Sequence, residues 1–239
     1  LLRMRDGRLA LFYLRKNGWL DCAPFVRYSR DECESWGDPV RIVPFLGYFV
    51  LNNDRVIQLS SGRIIMALCQ HHHAARPDGV PGVFKDRLGT LLVVWSDDDG
   101  ATWQVGPERW MLPSGRDYLQ EPGLVERQDG SLWCFMRTNT GRQWESFSGD
   151  RGESWTLPRP SRFESPCSPL SVKRIPSTGH LLAVWNDTAT ARRLWGPAAP
   201  VIQEGWGPAP NWGRTPLVAA ISRDEGRRWG RARILEQAP

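Results

Sequence analysis

Four times along the 239-residue chain one short pattern returns, Ser-x-Asp-x-Gly-x-x-Trp: Ser96-Asp98-Gly100-Trp103, Ser148-Asp150-Gly152-Trp155, Ser222-Asp224-Gly226-Trp229, and a degenerate copy, Ser29-Asp31-Cys33-Trp36. The copies lie 67, 52 and 74 residues apart. A motif recurring at such intervals means that one small unit is built several times over, and this restricts the fold more than any local propensity does.

Each copy follows a strand-like run: Phe25–Tyr28, Leu91–Trp95, Trp144–Phe147 and Leu217–Ile221. The box therefore sits where a strand must reverse. A short Asp side chain can accept hydrogen bonds from the turn's own amides, and Gly two residues later tolerates a positive φ. The Trp then opens the returning strand and packs back over the turn. These boxes read as scaffold rather than as catalytic residues, and Cys33, standing where the other copies have Gly, predicts a strained or differently shaped turn.

A second repeat is interleaved with the first. Before each box two apolar runs flank a turn ending in Gly: Asp6-Gly7, Ser61-Gly62, Asp129-Gly130 and Thr178-Gly179. Such turns are the strongest short-range hairpin signal. One unit is thus four strands, A to D, with a Gly turn between A and B, a variable connection between B and C, and the box between C and D. Four-stranded antiparallel units with no helical periodicity between them predict an all-β fold, a β-propeller. The units fall at approximately 1–45, 46–112, 113–163 and 164–239.

The remaining composition is consistent with this. Hydrophobic residues at 41%, with thirteen Trp, suffice for a sizeable core, and no run approaches the ~20 apolar residues of a membrane span. Five cysteines, Cys22, Cys33, Cys69, Cys134 and Cys167, are an odd number without metal-ligand spacing, so free thiols are expected. The net charge of +5 comes from scattered Arg, which suits an anionic substrate and gives little reason to expect nucleic acid. His71-His72-His73 cannot all point one way, and no fourth ligand is spaced for zinc, so no metal is expected.

Topology separates scaffold from site. In an up-and-down unit the Gly turn and the box share one end, so the start of strand A, the end of B and the start of C share the other. Variable loops gather there, and chemistry is expected with them. Those positions hold Asp21, Asn53, Asp54, Arg55, Gln70, Glu121, Arg137, Asn186, Asp187 and Arg214, a density of charge that is costly unless paired or used on a ligand.

The boxes, together with Glu121-Pro122-Gly123-Leu124-Val125-Glu126 leading through Asp129-Gly130 to Phe135-Met136-Arg137, resemble the sialidase (neuraminidase) superfamily, in particular its bacterial-type Asp-box members. The resemblance runs through nearly the whole chain and implies six blades, of which four are visible, so the chain reads as a fragment of a longer protein. It maps the family's Glu, which serves as base partner of a Tyr nucleophile, to Glu121, and one Arg of a carboxylate-binding triad to Arg137. It places the acid/base Asp at Asp21, in the loop beyond strand B of the first unit, and a further triad Arg at Arg214. The first triad Arg and the nucleophilic Tyr are expected outside Leu1–Pro239, since none of Tyr13, Tyr28, Tyr48 and Tyr118 matches the nucleophile motif.

Asn53, Asp54 and Arg55 have no counterpart in that pattern and are expected to make polar substrate contacts. The residues alone leave other readings open. Glu121 and Arg137 also suit a structural ion pair, Arg63, Arg142 and Arg192 compete with Arg214, and Asp21 suits a plain turn. The activity implied by the resemblance is release of a terminal sialic-acid-type sugar from a glycoconjugate, without cofactor. Sialidases use Tyr where most retaining glycosidases use a carboxylate, because a neutral attacker is not repelled by the substrate's own carboxylate. A hydrolase for another sugar and a non-catalytic carbohydrate-binding or protein-interaction propeller are the alternatives.

Overall fold

The computed structural model describes residues 1–72, 89–112, 118–196 and 213–237. His73 and the following stretch 74–79 lie outside the described residues. Among the described residues the chain is all-β apart from one short helix. The first hairpin block is β1 (Leu2–Arg3), β2 (Leu9–Gly18), β3 (Asp21–Ser29) and β4 (Val40–Arg41), and β5 (Tyr48–Val50) follows it. The second block is β6 (Val56–Gln58), β7 (Ile64–His71), β8 (Gly89–Ser96) and β9 (Gln104–Val105). Two four-stranded antiparallel sheets complete the fold: β10 (Gln120–Glu126), β11 (Leu132–Arg137), β12 (Arg142–Ser148) and β13 (Arg159–Glu164), then β14 (Ser171–Arg174), β15 (Leu181–Asn186), β16 (Leu217–Ser222) and β17 (Arg233–Glu236).

Two elements were not legible as such. The first two blocks are joined into one nine-stranded sheet by β5, which pairs in parallel with β3 at Cys22–Tyr48 and antiparallel with β7. The connection between β15 and β16 holds an α-helix, α1 (Thr188–Trp195), where no helix is expected from the sequence. Asp187 caps it by accepting from the amides of Ala189 and Thr190, both at 3.1 Å, so this Asp is spent on a helix start.

Strand alternation builds the interior. On β7, Ile64, Met66 and Leu68 face a core shared with Ala10, Val26 and Phe49 of the first block. The alternate residues Ile65, Ala67 and Cys69 face a second core with Leu124, Leu132, Cys134 and Met136 of the third sheet. That sheet in turn sends Val125, Trp133 and Phe135 into a third core with Val172, Leu181, Ala183 and Val218 of the fourth. The inner strands are therefore buried on both faces, and each sheet is held by its neighbours in the chain.

The boxes keep one geometry in all four copies. The Gly100, Gly152 and Gly226 amides each donate to the Ser hydroxyl four residues earlier at 2.8 Å, and Cys33 does the same to Ser29 at 2.9 Å. The Asp carboxylate then accepts from the amide four residues on, Thr102 and Arg228 at 2.8 Å and Ser35 and Ser154 at 2.9 Å. Cys33 adopts φ 77°, close to the 83–91° of the three glycines. The turn is thus strained in backbone but not differently shaped: its hydrogen bonds hold a side-chain-bearing residue in the left-handed region.

Register places the ends. Glu126 pairs with Leu132 and Leu132 with Ser148, whereas Gln120 pairs with Arg137. The Gly turn and the box therefore share one end of the third sheet, and Glu121 and Arg137 lie at the other. Side chains tie the box ends of successive blocks together. Arg63 of the second block, paired with its own Asp97 at 2.7 Å, reaches Glu153 of the third at 3.0 Å, the Ser60 amide donates to Glu126, and Arg174 of the fourth sheet, paired with its own Glu225 at 2.7 Å, donates to the Glu126 carbonyl of the third at 2.9 Å.

Hydrogen bonds from Thr102 lower the Asp98 pKa to about 2, and those from Ser154 and Ser148 outweigh burial to lower that of Asp150 to about 2. A depressed folded-state pKa stabilises above the unfolded value of ~3.9 and is lost as pH falls through the folded one. Asp98→Ala and Asp150→Ala are expected to lower stability by about 1–3 kcal/mol at neutral pH, near the lower figure because both carboxylates are largely exposed. Denaturant titrations should show this gap closing between pH 4 and 2, and unchanged midpoints at pH 7 would refute it.

Candidate functional site

The end of the third sheet opposite the boxes is built on a bulge. The β10–β11 register shifts between Gln120 and Gly123, and Glu121 sits at φ 45°, a left-handed conformation that a side-chain-bearing residue adopts at a cost of roughly 1–3 kcal/mol. Its Oε1 accepts from Arg137 Nη1 at 2.8 Å, with only 19% and 12% of the two side chains exposed. Its Oε2 is buried and meets no hydrogen-bond donor among the described residues. An unmet buried carboxylate oxygen costs on the order of 1–3 kcal/mol, so this end of the sheet carries two adjacent destabilising features.

Arg137 is held on its other side by a thiol. Its Nε and Nη2 lie 3.2 and 3.1 Å from Cys167 Sγ, and the Tyr118 hydroxyl lies 2.7 Å from the same sulfur. Burial works against the guanidinium charge, but the facing Cys167 and Glu121 more than offset it, and its pKa is raised. Among the described residues these contacts use one N–H of each terminal nitrogen of Arg137, and each of those nitrogens carries a second. Arg214 reaches the same place: its Nη2 donates to the Cys167 carbonyl at 3.1 Å, and its own carbonyl accepts from Asn186 at 2.6 Å.

Arg55 lies behind the pair. It is buried, donates from Nη2 to the Leu170 carbonyl at 2.9 Å and stands over the Phe135 ring at 5.2 Å. Burial lowers its pKa, with the Glu121 charge acting in the opposite direction. Gly123 makes this packing possible, since a Cβ there would lie 2.3 Å from Phe135 and 2.4 Å from Arg55 Nη1. Asp54 is exposed and pairs with Lys173 at 2.8 Å, while Asn53 is exposed beside it.

Asp21 stands further off. It opens β3 opposite Gly18 in a tight hairpin rather than lying in an open loop, because β2 runs on through Lys16, which pairs with Cys22. Asn17 donates to Asp21 Oδ2 at 2.7 Å, Arg41 lies 3.9 Å from Oδ1, and Oδ1 is buried without a hydrogen-bond partner among the described residues. Next to it in the chain, Cys22 pairs with Tyr48, whose ring meets that of His71, and Cys69, 3.6 Å from His71, donates its thiol to the Leu119 carbonyl at 3.5 Å.

Glu121, Arg137, Arg214 and Arg55 thus come together, Asp21 shares their end of the sheets without touching them, and Asn53 and Asp54 flank Arg55. The competing arginines lie elsewhere or are engaged: Arg63 is in the box-end network, and Arg142 and Arg192 both face Glu164. Cys167 and Tyr118 were missed, since no spacing links residue 167 to residue 137. His71 closes β7, and His72 reaches Thr90 at 2.6 Å. Among the described residues no cluster of His, Cys, Asp and Glu has a metal-binding arrangement, all five cysteines are free, and no helix is long and apolar enough to cross a membrane.

The model of the BNR repeat-like domain matches residues 1–239. Among solved structures, a Hadza microbial sialidase superposes with TM-score 0.65 at 17% identity, covering 97% of this chain and 43% of its own. A protein of unknown function from Dyadobacter fermentans gives 0.64 at 16% identity, covering 99% and 63%. The leech intramolecular trans-sialidase gives 0.60 at 19% identity, covering 91% and 30%. The chain therefore spans less than two thirds of each of these structures. No curated protein matches it.

Gly123→Ala is expected to push the Phe135 ring and Arg55 apart and to cost about 1–3 kcal/mol, as overpacking does in a close-packed interior. Urea titration measures this, and a stability within 0.5 kcal/mol of the parent, a scale ordinary for surface changes, would show that the neighbours move aside freely.

Proposed function

We propose that this chain, which belongs to the BNR repeat-like domain family, is part of a sialidase-like glycoside hydrolase that releases a terminal acidic sugar from glycoconjugates. Its four units, at approximately 1–45, 46–112, 113–163 and 164–239, are read as blades of a β-propeller, with the boxes on one face and the site on the other. The activity belongs to the longer protein of which the solved relatives give the scale.

The observation that carries this reading is the state of the Glu121–Arg137 pair. Beyond the oxygen that meets Arg137, Glu121 Oε2 is buried without a donor among the described residues, on a residue held at positive φ. That oxygen is assigned the proton of a nucleophilic hydroxyl, the work of a general base. Arg137 carries two further N–H groups for a substrate carboxylate, with Arg214 beside it across Cys167. Asp21, with its own unmatched Oδ1, is assigned the proton donated to the leaving oxygen. Asn53 is assigned a polar substrate contact, and Asp54, held by Lys173, borders it. Arg55 lies behind Glu121, held to the Leu170 carbonyl.

The test uses the full-length protein and a reporter glycoside of sialic acid. Arg137→Lys keeps the charge but loses the fork, so it should chiefly weaken binding of the acidic substrate and of its unsaturated transition-state mimic. Glu121→Gln should leave that binding largely intact and lower turnover by ~10²-fold or more. Hydrolysis of neutral glycosides alone, or full turnover and affinity in both variants, would overturn the assignment. Binding of the acidic sugar without turnover in the parent would point to a lectin-like role.

A further inference from the structure

At the box end, between the third and fourth sheets, lies an open cavity of about 350 Å³ lined by Arg127, Glu145, Phe147, Arg159, Arg162, Gly226 and Arg227. The internal repeat shows how unusual it is. Four residues make the same hydrogen bond closing the Gly turn: the amides of Met4, Leu59, Arg127 and Ile175 donate to the carbonyls of Arg8, Arg63, Ser131 and His180. Met4 and Leu59 are buried in the cores between their own block and the next. Arg127 occupies the corresponding place in the third sheet, where an apolar residue belongs.

The second departure is on β12. Counting back three residues from the box Ser, Val26, Val93 and Ala219 stand where the third sheet has Glu145. The third is in the fourth box, where the residue after Gly226 is Arg227, against Glu34, Ala101 and Glu153 in the other copies. Three positions of the repeat therefore depart from their counterparts, two from apolar to charged and the third from glutamate or alanine to arginine, and all three line one cavity.

Charge there is not balanced. Glu145 is engaged by Arg159 at 3.3 Å. Arg162 donates to the Arg227 carbonyl at 3.2 Å, which spends one of its N–H groups and none of its charge. Arg127 lies over the Phe147 ring at 4.5 Å, and its Nε is buried without an acceptor among the described residues. Burial lowers its pKa and Arg227 adds to that effect, while Asp129, Glu145 and Glu225 act in the opposite direction without overcoming it. At the neighbouring junction, by contrast, Arg63 is met by both Asp97 and Glu153. After the Glu145–Arg159 pair is set aside, three guanidinium groups converge on one concavity, Arg127 half-buried and Arg162 and Arg227 exposed at its rim, and an anion seated there is met by all three.

We propose that this cavity is an anion site that takes a tetrahedral oxyanion, a phosphate or sulfate group, free or as a monoester on a glycan. Planar guanidinium forks suit such a group, and a charge of up to −2 offsets the excess. The site lies at the opposite end of the sheets from Glu121 and stands independently of the function proposed for that end.

Calorimetric titration of the chain with sodium phosphate and with sodium sulfate, against sodium chloride at matched ionic strength, tests it. Saturable binding of the two oxyanions is expected. Arg127→Leu, which installs the residue of the second block, and Arg227→Glu, which installs that of the first and third boxes, should each weaken it by about tenfold or more, whereas Arg137→Lys should leave it unchanged. Arg227 is exposed, so its substitution keeps the test open if Arg127→Leu fails to fold. Competition by a sulfated oligosaccharide would assign the site to an ester on a glycan, and phosphate binding without such competition to the free ion. A response no larger than that to chloride, equal binding in both cavity variants, or loss on Arg137→Lys would overturn the proposal.

Discussion

Two-sided burial of the inner strands is the constraint from which the rest follows. Because Ile64, Met66 and Leu68 face one neighbour while Ile65, Ala67 and Cys69 face the next, a one-residue slip of β7 would exchange two cores at once. Register is therefore fixed twice over. With register fixed, the two ends of every sheet are fixed as well, and no residue can migrate from the box end to the other without breaking both interfaces.

The two ends then divide the polar residues by what they are for. At the box end Arg63, between Asp97 and Glu153, and Arg174, with Glu225, are matched in charge, and the same two side chains reach the third sheet at Glu153 and at the Glu126 carbonyl. At the other end Glu121 and Arg137 meet each other but leave capacity unspent, beside a thiol and a phenol that bring no formal charge when neutral. The cavity around Arg127 is the exception at the box end, and it stands out because the repeat supplies its own reference.

Much of this was legible in the sequence, for physical reasons. Hairpins are local, so Gly turns such as Asp129-Gly130 and boxes such as Ser148 to Trp155 announced strands and reversals directly. The Glu121 to Arg137 juxtaposition followed from one hairpin, since Gln120 pairs with Arg137. What stayed hidden depends on contacts between distant segments. Cys167 approaches Arg137 from a loop thirty residues on, and β5 pairs in a direction that no turn signal encodes. The extended β2, which moves Asp21 from a loop into a tight hairpin, was missed because Arg15, Lys16 and Asn17 look like the polar end of a strand. Helix α1 was missed because eight residues carry too little periodicity to register.

The short strand β5 also sets how the molecule comes apart. It borrows main-chain bonds from both neighbours, with the Cys22 amide donating to the Gly47 carbonyl at 2.9 Å and Tyr48, Phe49 and Val50 paired with β7. The first two blocks are consequently riveted through the backbone, whereas the third and fourth sheets are separate ladders that adhere through side chains. Under force or mild denaturant the seams on either side of the third sheet are the lines of weakness, and the opening blocks behave as one cooperative body that yields last.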